Sequence, residues 1–136
     1  MVRFVDGRPD KKGYRHFNIK TVTGPDDFAS MKEIVGRRYK RIMEEESEYP
    51  NLIIVDGGKG QLSVAKQQLS EDSINIPIVG LAKRYETIVQ NINDVTTKLP
   101  AGAKDEADFR LINFEPNSPT LHLLQRIRDE AHRFAV

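Results

Sequence analysis

Leu52-Ile53-Ile54-Val55, followed at once by Asp56-Gly57-Gly58-Lys59-Gly60-Gln61, is the stretch that decides the fold. Four apolar residues in a row predict a strand buried on both faces of a sheet. The glycines then turn the chain into a helix that carries Leu62, Ala65 and Leu69 at helical spacing. Ile76–Leu81 predicts a second buried strand. Upstream, Gly24-Pro25-Asp26-Asp27 opens another helix, with proline in its first turn and carboxylates at the positive end of the dipole. Phe28, Met31, Ile34, Val35, Ile42 and Met43 continue it for about four to six turns.

Further out, Met1–Val5 is a short β-rich run closed by the turn signal Asp6-Gly7. Tyr14, His16, Phe17, Ile19 and Val22 alternate with polar residues, which predicts an antiparallel partner for that run. The segment from Arg84 to Phe114 reads as short strands and loops, with Pro100–Asp108 a flexible excursion. Ser118-Pro119 starts a last helix, serine as cap and proline at the first helical position. Leu121, Leu124, Ile127, Ala131 and Phe134 line its core side. The order is hairpin, helix, strand, helix, strand, irregular insertion, helix. That is a mixed α/β protein, its sheet partly antiparallel and partly parallel.

At 136 residues the chain is long enough for one domain with a real core. Hydrophobic residues make up 38% and charged residues 30%, an ordinary globular balance without a span-length apolar run. There is no cysteine, which removes disulfides and thiolate metal sites and points to a reducing cytoplasm. Any metal must bind through oxygen or imidazole, which favours Mg²⁺ or Mn²⁺ over structural zinc. Net charge is only +1, but the basic residues cluster: Lys11, Lys12 and Arg15; Arg37, Arg38, Lys40 and Arg41; Lys83 and Arg84; Arg126, Arg128 and Arg133. Each cluster taken alone reads as solvated surface. Four together suggest a polyanionic partner.

Two features could carry chemistry. Asp56 ends a strand whose carboxyl end is where α/β sheets gather ligands. A carboxylate there can hold a hard metal, the glycines let backbone N–H groups approach an anion, and Lys59 can meet a phosphate. A phosphate-binding P-loop is excluded, because Gly60 follows Lys59 where that motif needs serine or threonine. A purely structural strand-to-helix turn stays open. On the last helix Gln125, Asp129 and His132 share one stripe, with Arg128 beside it. His132 could serve as metal ligand or general acid-base, or sit idle on a charged surface. His16 and His122 read as ordinary structural or surface residues. The pair Asp26-Asp27 reads as capping charge. Lys83 and Arg84, past the end of the second strand, would lie near Asp56 if the two strands are parallel.

Taken together, five stretches resemble the C-terminal nuclease domain of the UvrC family, the incision subunits of bacterial nucleotide excision repair. They are Tyr14 to Lys20, Gly24 to Met31, Asp56 to Gln61, Gly80 to Lys83, and Leu124 to Ala135. They occur in family order over nearly the whole chain. The resemblance implies an RNase H-like fold over residues 1–136 as a single endonuclease domain. It also implies metal-dependent incision on the 5′ side of a lesion in double-stranded DNA, in a complex with UvrB. The family's Asp-Asp-His triad maps its second aspartate onto Asp56 and its histidine onto His132; an aspartate that maps onto Asp27 has also been linked to activity in the family. Asp56 and His132 would be the metal ligands, and Lys59, Lys83, Arg84 and Arg128 would contact phosphates. The triad's first aspartate belongs to a strand expected before Met1, as the helix-hairpin-helix region is expected after Val136. The chain alone is therefore expected not to cut DNA. The competing class is a non-catalytic RNase H-like module that binds DNA or protein.

Overall fold

The computed structural model describes residues 1–16, 27–45, 48–83, 86–95 and 102–135. In chain order the elements are β1 (Phe4–Val5), β2 (Arg8–Pro9), α1 (Asp27–Glu44), β3 (Ile53–Asp56), α2 (Lys59–Glu71), β4 (Ile78–Ala82), β5 (Thr87–Asn91), β6 (Ala103–Glu106), β7 (Phe109–Ile112) and α3 (Pro119–Ala135). They fall into two compact units. One is Met1–Asn18 with Phe114–Val136, the other Ile19–Asn113.

The larger unit is built on a five-stranded sheet of order β3-β4-β5-β7-β6. β3 and β4 are parallel, joined by the crossover helix α2, while the β4–β5, β5–β7 and β6–β7 pairs are antiparallel. This is the mixed α/β sheet the sequence predicts, and it is consistent with an RNase H-like fold. β3 is the outermost strand on its side among the described residues. Val35, Tyr39 and Ile42 from α1, Leu62, Ala65 and Leu69 from α2, and Ile53, Val55, Ile78 and Val89 from the sheet form one apolar core. The two helices approach closely at Gly36, where an added Cβ would stand 3.1 Å from the Gln68 amide nitrogen. Burial of this kind stabilises by roughly 25 cal/mol per Å² of apolar surface, which is why the apolar positions choose the packed faces.

Some expectations are corrected. Phe28 and Met43 fit the helical period of α1 but are exposed, and Tyr39 takes a core position instead. Leu52 is also exposed and precedes β3. The segment expected to be a flexible excursion contributes β6 and the turn of a hairpin, and β6 pairs with β7 from Ala103↔Ile112 to Glu106↔Phe109. Ala107 turns it at a left-handed φ of 54°. Cross-strand pairing between residues of weak β propensity, Lys104 to Glu106, overrode the local signal.

In the smaller unit Asp6-Gly7 is itself a hairpin turn. Both residues have positive φ, 52° and 77°, as a two-residue primed turn requires, so β1 pairs with β2. The expected partner from Tyr14 onward shows one rung: Met1 and Arg15 exchange backbone hydrogen bonds at 2.9 and 3.1 Å. The rest of that expected strand, with the Gly24-Pro25-Asp26 helix start, lies outside the described residues. The α3 start is as predicted, Ser118 Oγ accepting from the Leu121 N–H at 3.5 Å. Leu121 and Leu124 are its buried residues. Ala135, the last residue of α3, is exposed. Among the described residues no helix is long and apolar enough to cross a membrane.

Candidate active site

Asp56 is the last residue of β3 and is exposed, whereas Ile53 and Val55 before it are buried. Its backbone is level with Leu81 on β4. The turn that follows stays tied to β4, because the Gly57 N–H donates to the Leu81 carbonyl at 3.1 Å. Gly57 has φ of 155°, and a Cβ there would fall 2.5 Å from the Gln61 side chain. Gln61 is needed in that place: its Oε1 accepts from the Gly58 N–H at 3.1 Å and caps the start of α2. A third glycine completes the packing. A Cβ on Gly80 would stand 2.7 Å from the Gly57 carbonyl oxygen, so β4 must be bare where the turn crosses it.

These contacts hold the carboxylate of Asp56 at the carboxyl end of a parallel pair, beside the N-terminus of α2. That is the position where open α/β sheets bind ligands. Lys59 begins α2 and Lys83 follows the last residue of β4. The parallel register therefore brings Asp56, Lys59 and Lys83 to one edge of the sheet, and Lys83 is exposed there. Lys59 is already engaged. Its Nζ lies 3.5 Å from Glu106 Oε1 and 5.7 Å from the centroid of the Phe109 ring. Neither partner was marked by the sequence, since both reach Lys59 only through the β6–β7 hairpin.

His132 lies on α3 in the smaller unit and is exposed, as is Asp129; Arg128 is half-buried. Around them is a polar and aromatic lattice. Tyr14 Oη donates to Glu130 Oε1 at 3.0 Å, and Arg133 Nε donates to Glu130 Oε2 at 2.9 Å. Phe134 meets Tyr14 edge-on at 5.0 Å and His16 face-on at 3.9 Å. Arg126 donates to the Gly7 carbonyl at 3.2 Å. The Arg133 hydrogen bond, against desolvation and with help from Tyr14, pulls Glu130 down to about 2. Burial, then the Glu130 hydrogen bond, pushes the Tyr14 phenol up from its ordinary value. His122 Nε2 donates to the Pro116 carbonyl oxygen, 3.2 Å away, a local loop contact. The Asp27 side chain and all of Arg84 lie outside the described residues. Among the described residues no group of three or more His, Asp or Glu is arranged to hold a metal.

Residues 1–136 match the family described as the UvrC RNAse H endonuclease domain. The chain belongs to this family. It is 51% identical to the UvrABC system protein C of Cytophaga hutchinsonii over 138 residues, all of this chain and 21% of that protein. It is 47% identical to the Flavobacterium psychrophilum protein of the same name, over 99% of this chain and 20% of the relative. With the Methanosarcina acetivorans protein identity is 46%, over all of this chain and 23% of the relative. The chain thus spans about a fifth of the length of the curated relatives it matches.

Proposed function

We propose that residues 1–136 form one RNase H-like endonuclease domain that makes the 5′ incision beside lesions in double-stranded DNA, acting in the cytoplasm with UvrB. The observation that carries this reading is the exposed Asp56 carboxylate at the carboxyl end of the β3–β4 pair, with Lys59 and Lys83 at the same edge. Its donor chemistry suits a hard divalent ion, Mg²⁺ or Mn²⁺. Asp56 would be a ligand of that ion, and His132 as a second ligand and Asp27 are carried over from the family pattern. When bound, such an ion supplies Lewis acidity at a phosphodiester and a more acidic water.

The chain's own residues do the rest. Asp56 ends β3 at the glycine turn that leads into α2. Lys59 and Lys83, with Arg84 and Arg128, take backbone phosphates, which orients a strand without reading its bases. His132 would hold or pass a proton.

Asp56→Asn tests the reading. In an incision assay on the intact parent domain, with UvrB, saturating Mg²⁺ and a lesion-bearing duplex, the variant should lose cleavage while retaining DNA binding and the wild-type fold. Unchanged cleavage would remove Asp56 from the chemistry. Loss of neither activity nor binding in a Lys59→Ala, Lys83→Ala variant would count against this edge as the DNA site.

A further inference from the structure

Glu106 stands opposite Phe109 at the tip of the β6–β7 hairpin, and Lys59 lies against both. Its two carboxylate oxygens take different lysines: Oε1 is 3.5 Å from Lys59 Nζ, Oε2 is 3.7 Å from Lys104 Nζ. The Lys59 and Glu106 side chains are 42% and 46% exposed, so this ion pair is open to water and to any competing anion. Such pairs are weak and screened by salt. The turn beside Asp56 therefore offers a lysine that is occupied and yet displaceable. Lys104 keeps a cation on Glu106 after Lys59 departs, which lowers the cost of the exchange.

We infer that Glu106 is a positioning residue that competes with DNA phosphate for Lys59 and so limits how tightly the Asp56 edge takes a nucleic-acid backbone. This rests on the reading of Lys59 as a phosphate contact. A weak internal competitor suits a site that reads no sequence. It holds down indiscriminate backbone binding, and a duplex fixed by other contacts can still draw Lys59 across.

The experiment is a double-mutant cycle on the full chain, with a short fluorescein-labelled DNA duplex, over a range of salt and without divalent metal. Glu106→Gln is isosteric at an exposed position, and its thermal midpoint should stay near wild type. If the hairpin is disturbed, Glu106→Asp, with a shorter reach, gives a smaller change of the same sign. Glu106→Gln should tighten binding about two- to fivefold at low salt, and the gain should fade at high salt. In a Lys59→Ala background the gain should disappear. Lys59→Ala alone should weaken binding and reduce the log–log salt slope by about one. An equal gain with and without Lys59 would reduce Glu106 to a general charge effect and overturn the inference, as would no gain at all, while the reading of Lys59 stands. An unchanged affinity and slope in Lys59→Ala would instead overturn that reading, and wild-type chain that fails to bind the duplex would overturn both.

Discussion

Asp56 stands on a support of buried hydrocarbon, whereas His132 rides on a helix held largely by polar and aromatic contacts. In the larger unit Leu62 and Ala65 are fully excluded from solvent, and Ile53 and Val55 anchor the strand that presents Asp56. In the smaller unit α3 contributes Leu121 and Leu124 to its interior. Among the described residues its attachments include Tyr14 to Glu130, His16 to Phe134, and Arg126 to the Gly7 carbonyl. Apolar burial responds little to pH or salt. Ion pairs and charge-assisted hydrogen bonds respond to both. The two candidate chemical groups should therefore lose their supports under different conditions.

Removing hydrocarbon should produce the largest difference. Leu62→Ala empties a site with 0% exposure and should cost about 2–5 kcal/mol, seen as a lower urea midpoint. The Asp56 turn should fail with it, because α2 starts three residues earlier. An effect below about 1 kcal/mol would mean the larger unit is not held by this core.

Acid should act on the smaller unit. Glu130 is depressed from its ordinary 4.5 to about 2, so its contribution is fully present above pH 4.5 and is lost as pH falls through about 2. Wild-type stability should decline across that window, and Glu130→Gln should flatten the decline. Urea midpoints measured from pH 5 downwards, on the scale of that shift, would show it. Identical pH profiles for the two proteins would break the contrast between the units.

The smallest effect should come from Lys83→Ala, an exposed residue past the end of β4. It should leave stability within about 0.5 kcal/mol and lower the salt slope of DNA binding by about one. A changed midpoint with an unchanged slope would assign Lys83 to the fold and not to the phosphate edge.

The strand, turn and helix around Asp56 were legible in the sequence because their signals are local. An apolar run, a glycine cluster and a 3.6-residue period each report on neighbours a few positions away. The start of α3 at Ser118-Pro119 was legible for the same reason. The sequence makes the approach of Lys83 to the Asp56 edge conditional on parallel pairing, and the structure supplies that pairing. What remained hidden depends on which distant backbones meet. The weakly β-prone stretch from Lys104 to Glu106 became a strand only because Phe109 to Ile112 was there to pair with it. That pairing alone put Glu106 and Phe109 on Lys59. The need for glycine at position 80 likewise arises from the Gly57 carbonyl crossing above it, a contact that no local pattern records. Sequence alone set the chemistry available at Asp56 and the elements that carry it. Tertiary structure decided which charges share its edge, because strand pairing across the chain is fixed by packing and not by neighbouring residues.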